Sequence, residues 1–262
     1  MNSIEEEVSK DIKSVLIWSG CSSLIVIMFL AIYYVIGKDL KGVVSIPRIS
    51  SQGANNFLNI NKAINYVSLT TYLGYIFNYL YIIGAVYGGI LGATSNIRGE
   101  YLKTSEYKSF IKVKVIANLE KYIAYCIIIG MITFMTLILV TDINSALEYV
   151  LLKELYLIIG LIVIGILFMS VGFIICSITK DDVVSISITI GIGIYTYILG
   201  MASRLSPKVR ILKAFSPFES MKSMDIINYG FNMFSLLGII FIILCCIAIT
   251  ILIFMYKSKE SN

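Results

Sequence analysis

Residues 155–179 read LYLIIGLIVIGILFMSVGFIICSIT, 25 residues between Glu154 and Lys180 without a single charge. About 20 apolar residues suffice to cross the hydrocarbon of a bilayer as a helix. A charge at the bilayer centre costs roughly 2.5–3.5 kcal/mol or more, so uninterrupted neutrality over such a length is the mark of a span. The run is apolar on every residue face. It lacks the period-two alternation over about ten residues that a membrane strand would show.

Five further charge-free gaps accompany it. They lie between Lys13 and Lys38, Lys62 and Arg98, Lys121 and Asp142, Asp182 and Arg204, and Asp225 and Lys257. Together the six gaps take more than half of the 262 residues, which leaves no room for a separate soluble domain. The expected fold is all-α: one polytopic membrane domain over 1–262 with six transmembrane helices, at about 14–37, 67–97, 119–141, 155–179, 183–203 and 233–256. The three prolines, Pro47, Pro207 and Pro217, all fall between spans, where no helix needs the missing N–H.

Composition agrees. Hydrophobic residues make up 58% and charged residues 14%, against roughly 45–50% and about 25% in soluble domains. With no histidine, zinc-peptidase motifs and the Ser-His or Cys-His catalytic pairs have no members. Cys21, Cys126, Cys176, Cys245 and Cys246 all lie in apolar runs and read as packing residues. The net charge of +5 is scattered, giving no case for nucleic acid. The first apolar run follows Glu5, Glu6, Glu7 and Asp11 rather than a basic start, and reads as a retained helix, not a cleaved leader. An even number of spans puts both termini on one side. With that side cytoplasmic, inner and outer segments carry nearly equal Lys+Arg, so charge bias alone does not orient the chain.

The connecting segments carry pattern of their own. Ser3-Ile4-Glu5-Glu6 has the form of a capping box, and Ile4, Val8, Ile12 and Leu16 recur every four residues; this predicts an N-terminal amphipathic helix, either interfacial or a solvated leader. Residues 99–118 place Tyr107, Phe110, Ile111 and Val115 on one helical face and Lys103, Lys108 and Lys112 around the rest: a helix offered to a partner, or a basic surface loop. From Arg204 to Tyr229, two Ser-Pro breaks divide a stretch both basic and apolar, read either as short half-helices dipping into the membrane or as an exposed loop with interfacial anchors. On the second span Gly84, Gly88 and Gly92 stand four apart beside Ala85, Gly89 and Ala93, a small-residue row that suits close helix packing within a subunit or between two.

Chemistry is sparse. There is no phosphate-binding GxxxxGK[ST] loop, so this chain is expected to bind no ATP in that manner and to carry no cofactor. Spans bounded by charges contain none, so the bundle interior is expected to hold no ionisable group, which disfavours ion-coupled transport. Glu5–Glu7 and Asp181-Asp182 are the only carboxylate groupings a membrane enzyme would draw on; they read as a solvated leader and a turn. No catalytic residue and no metal site is expected.

Two segments resemble a known family. Glu100-Tyr101-Leu102-Lys103-Thr104-Ser105-Glu106-Tyr107 between spans 2 and 3, and Leu212-Lys213-Ala214-Phe215-Ser216-Pro217-Phe218 with Asp225-Ile226-Ile227 between spans 5 and 6, are similar to the integral-membrane subunits of ATP-binding-cassette type-2 exporters. After Tyr107 the chain departs from that pattern: Ser109-Phe110-Ile111-Lys112-Val113-Lys114 has neither the proline nor the arginine usual there. The resemblance implies a permease of the bacterial cell membrane, multi-pass with both termini cytoplasmic. It would work with a cytoplasmic ABC ATPase that holds ATP and Mg, with a second permease subunit as homodimer or heterodimer, and with membrane lipid. By the same resemblance Glu100, Lys103, Thr104, Glu106, Tyr107 and Phe110 form a cytoplasmic coupling helix docked on the ATPase. Phe215, Ser216, Pro217 and Phe218 belong to an outer re-entrant segment. The exported substrate would be an antimicrobial peptide, a drug, a lipid-like amphiphile or an ion. The alternatives are a polytopic membrane enzyme, or a secondary transporter or channel independent of ATP.

Overall fold

The computed structural model describes residues 12–39, 69–95, 104–140, 147–179 and 181–260. The described residues are helical, without strands. Eight α-helices follow in order: α1 (Ile12–Asp39), α2 (Leu69–Ala93), α3 (Thr104–Val140), α4 (Leu147–Ile178), α5 (Asp182–Ala202), the short α6 (Pro217–Ser220) and α7 (Ser223–Tyr229), and α8 (Met233–Glu260). A 3₁₀ segment, Pro207–Phe215, precedes α6. Six of these are long and apolar enough to cross a membrane, over Ile12–Val35, Leu69–Ala93, Val113–Val140, Glu148–Ile178, Asp182–Ala202 and Met233–Ile253. Of the amphipathic leader expected from Ser3, residues 3–11 lie outside the described residues, while its Ile12 and Leu16 are exposed on the first turns of α1.

The bundle is built around α2 and α4. Within the most apolar stretch of each helix, 67% of α2 and 56% of α4 is buried, against 22% of α5 and 17% of α8. What lets α2 and α4 approach is the absence of side chains between them. A Cβ on Gly88 would run into the Gly165 backbone, and one on Gly92 into the Met169 carbonyl and, 3.1 Å away, the Gly172 Cα. A Cβ on Gly172 would sit 2.6 Å from the Gly89 carbonyl oxygen, and one on Gly84 2.5 Å from Leu161 Cδ1. The row Gly84, Gly88 and Gly92 thus faces a glycine row on α4 of the same chain. Residue numbers rise together along the contact, so the two helices are parallel, as two spans entering from one side must be.

Tyrosines lock the contact laterally. Tyr81 donates to the Leu157 carbonyl at 3.0 Å and its ring occupies the space above Gly160. Tyr122 on α3 repeats the arrangement, donating to the Leu161 carbonyl at 3.0 Å with Gly165 beneath it. In both, a glycine three or four residues on leaves the carbonyl open to a second donor. Trp18, Tyr87, Tyr122 and Tyr125 pack ring on ring at this level, with centroids 4.9–6.1 Å apart, and join α1, α2 and α3.

The outer faces invert the soluble pattern. On α1, Ser19, Ser22 and Ser23 are buried while Leu16, Ile17, Leu24, Ile27 and Met28 are exposed. Long exposed apolar stripes run down α5 and α8 as well. Contiguous apolar surface on this scale needs lipid or another apolar surface against it.

Two elements differ from expectation. The helix or surface loop expected over 99–118, ahead of a span from 119, is from Thr104 onward the beginning of a single 37-residue helix, Thr104–Val140, with residues 99–103 outside those described. From Thr104 to Ile129 there is neither glycine nor proline, so nothing interrupts the backbone ladder. The helix of the fourth span also starts earlier than expected, at Leu147, and takes in Glu148, Lys153 and Glu154.

Candidate functional site

Three places hold the chemistry. The first is the base of α3. Glu100 and Lys103 lie outside the described residues; Thr104, Glu106, Tyr107 and Phe110 fall on the first two turns of α3, where the backbone alone is described. At 1.5 Å per residue, Phe110 is about 12 Å along the axis from Asn118. There the helix becomes fastened on all sides: Asn118 Nδ2 donates to the Leu91 carbonyl of α2 at 2.8 Å, Tyr122 to Leu161 of α4, and Tyr125 Oη pairs with Ser22 Oγ of α1 at 3.1 Å. Lys121, in the same turn, is 1% exposed. The helix carrying the expected docking residues therefore runs without a joint into the packed centre.

The second place is the connection from α5 to α8. Both Ser-Pro pairs sit at helix starts, with serine as N-cap and proline at the first helical turn: Ser206-Pro207 before the 3₁₀ segment and Ser216-Pro217 before α6. Proline is suited to that position because its N–H would have no intrahelical partner there. Phe215 is exposed, whereas Ser216, Phe218, Glu219, Met221, Ser223, Ile226 and Ile227 are buried. Phe218 stacks on Phe168 of α4 at 5.3 Å and meets Tyr197 of α5 edge-on at 5.5 Å. Ser223 Oγ donates to the Gly74 carbonyl of α2 at 2.6 Å. Gly200 on α5 has Ser216 against it, its absent Cβ falling 2.5 Å from Ser216 Oγ. Gly230, at φ 77°, ends α7 and turns the chain into α8.

Beneath this connection lies a buried ion pair that no spacing in the sequence announced. Arg204 Nε donates to Glu219 Oε2 at 2.7 Å and Nη2 lies 2.5 Å from the same oxygen, with side chains 11% and 7% exposed. Lys222 is the nearby third charge. Burial pushes its ammonium below the usual lysine range; Glu219 and Asp225 pull it back up, while Arg204 and Lys213 push it further down. Ser216 Oγ is buried with no hydrogen-bond partner among the described residues.

The third place is a groove of about 450 Å³ between α3 and α4, lined by Gly130, Met131, Phe134, Met135, Leu151, Glu154, Leu155 and Ile158. Glu154 is 3% exposed, and its Oε1 is buried without a hydrogen-bond partner among the described residues. With Lys121, it corrects the expectation that no ionisable group enters the bundle interior. The reason is geometric: spans delimited at charges exclude charge by construction, while helices extend past their apolar cores and bring flanking charges into the packing.

The Asp181-Asp182 pair is placed at the turn into α5, where Asp181 Oδ1 accepts the Val183 N–H at 2.9 Å as an N-cap. Among the described residues no three His, Cys, Asp or Glu side chains gather as a metal would need. Compared with protein-family models, curated proteins and solved structures, the chain has no match.

Proposed function

We propose that this chain is the membrane-spanning permease subunit of an ATP-driven ABC exporter, working with a cytoplasmic ATPase that carries ATP and Mg and with a second permease subunit, identical or related. The observation that carries the reading is the uninterrupted α3. Its 37 residues amount to about 55 Å, against roughly 30 Å of hydrocarbon. Its apolar stretch begins only at Val113, so the family-like Thr104–Tyr107 stretch continues the span as a rigid extension. A push on that extension reaches α1, α2 and α4 through Asn118, Tyr122 and Tyr125 without a hinge to absorb it. ATPase closure would then shift the balance between two bundle conformations, which requires the ATPase to bind them with unequal affinity. The apolar stripes of α1, α5 and α8 are available to lipid and to the second subunit, and the buried side chains Ser216, Phe218, Ser223, Ile226 and Ile227 of the connection support a re-entrant outer element. In this reading both termini are cytoplasmic and the membrane is a bacterial cell membrane.

Affinity purification of the tagged chain from native membranes tests this, with co-purified proteins identified by mass spectrometry. An ABC ATPase is expected with the native chain and is expected to be lost with Glu106→Arg or Phe110→Asp. The reading fails if no ATPase accompanies the native chain, or if both variants retain it unchanged. Glu154 favours one second reading, an ion-driven transporter, because an intramembrane carboxylate is what such proteins use. Flux in liposomes driven by a cation gradient without nucleotide would decide for it.

A further inference from the structure

We propose that the groove between α3 and α4 is a binding site for a lipophilic monocation, its charge paired with Glu154 and its apolar body held by Met131, Met135, Leu155 and Ile158. The starting point is an imbalance. A buried carboxyl stays ionised only where it is paired or hydrogen-bonded and otherwise holds a proton that an arriving cation can displace, and Oε1 of Glu154 has no hydrogen-bond partner among the described residues. The adjacent Lys153 does not supply one: its ammonium lies over the rings of Tyr149 and Tyr156, 5.2 and 6.0 Å from their centroids. Glu154 itself lines an open volume of about 450 Å³, within the range of roughly 300–1,000 Å³ typical of small-molecule sites.

The lining fixes the class of ligand. Every side chain around the groove other than Glu154 is apolar. A divalent metal needs several oxygen ligands and would find one carboxylate. A polar peptide or sugar would leave its hydrogen-bonding groups unmatched. An anion would be repelled, and a neutral amphiphile without an O–H or N–H donor would leave the carboxylate as unpaired as before. One positive charge on an apolar body satisfies both halves of the site. Phe134 adds an aromatic ring, attractive to a cation in a desolvated setting, and the two methionines adapt to irregular shapes. Access is lateral: Met131 and Met135, at 60% and 59% exposed, and Leu155, at 56%, form the outer wall. A lipophilic cation dissolved in the bilayer reaches Glu154 without crossing water.

As the cargo site of an exporter this rests on the preceding reading; as a cation site it stands on the groove alone. The test uses purified full-length chain in neutral detergent, without ATPase or nucleotide. Binding of tetraphenylphosphonium is compared with that of tetraphenylborate, an anion of nearly the same size and shape. Saturable binding of about one phosphonium per chain is expected, with no saturable binding of the borate. Glu154→Gln is expected to weaken phosphonium binding at least tenfold while leaving elution profile and helicity unchanged. Met131→Trp, which fills the groove from its exposed wall, is expected to weaken it similarly and serves where the Glu154 variant does not fold. Absence of saturable phosphonium binding overturns the proposal, as does native-like binding by Glu154→Gln or by both variants. Equal binding of the borate also overturns it and would mark a groove for lipid tails. Phosphonium binding that persists when no ATPase co-purifies would defeat the exporter reading and leave this site standing.

Discussion

Arg204 and Glu219 show how much a single buried pair can decide. Removing one member leaves the other charged in an apolar setting, which destabilises by about 3–5 kcal/mol, whereas replacing both by apolar residues of similar volume is often neutral or stabilising. Arg204→Met is therefore expected to lower stability by about 3 kcal/mol, the low end because Lys222 lies within reach of Glu219's field. Adding Glu219→Leu should restore most of the loss in a detergent unfolding assay; a double variant as weak as the single would show that the pair is not what holds the connection. Lys222 gives a pH test. Because its folded-state pKa is lowered, protonation is harder in the folded chain than in the unfolded one. The cost is present in full below the folded pKa and disappears as pH rises from there to the ordinary lysine value, where the unfolded chain holds the extra proton. Stability should rise across that alkaline window, and Lys222→Met should raise the neutral-pH melting temperature and flatten the rise. The pair is not legible in the sequence: Arg204 and Glu219 are 15 positions apart with a 3₁₀ segment between them, and hydropathy sees only that both are charged.

At the scale of elements, the six spans were legible and their partners were not. A charge-free run of span length measures the bilayer directly, but a helix apolar on all sides has no face that names its neighbour. The glycine row on α2 was the exception: a run of small residues every four positions marks a face, and α4 supplies the matching glycines. The Ser-Pro pairs are legible as breaks between segments, while their role as helix starts, serine at the N-cap and proline in the first turn, shows only in the structure. The continuity of α3 is not legible, because the residue pattern changes where a membrane begins while the backbone does not change at all. Magnitudes rank the α2–α4 contacts. An interhelical hydrogen bond in a membrane protein contributes about 0.6 kcal/mol on average, so Tyr81→Phe should lower stability only slightly. A methyl group forced onto the Met169 carbonyl meets backbone that cannot rotate away. Gly92→Ala is expected to cost about 1–3 kcal/mol or more, and Gly92→Leu to prevent accumulation of folded protein. Gly191 has nothing within 4 Å of its absent Cβ, and Gly191→Ala should be neutral or stabilising by up to about 1 kcal/mol through helix propensity. Equal effects at the two positions, read by thermal unfolding in detergent, would rule out close packing as the reason for the row.

For the whole molecule the governing fact is inversion: serines, tyrosines and ion pairs inside, isoleucines and leucines outside. Such a body is stable where its surroundings are as apolar as its surface, and interhelical attraction then comes from close packing and polar ties instead of from expulsion of water. This makes sidedness testable by counting. Three spans, those of α3, α4 and α5, separate Ser105 from Tyr229, and an odd number of crossings places two points on opposite faces of a membrane. In a background with the five cysteines replaced, single cysteines at Ser105 and at Tyr229 are labelled with an impermeant maleimide on intact cells. Tyr229 is 87% exposed and suits this use, where Ser216, fully buried, does not. Tyr229→Cys is expected to react at once, and Ser105→Cys only after the cells are permeabilised. Reaction of both from one side would mean that one of the three helices does not cross, and the six-span architecture would fall with it. The reversed pattern, Ser105 outside and Tyr229 inside, would keep the six spans and remove the ATPase, since the base of α3 would then point away from the only compartment that contains ATP.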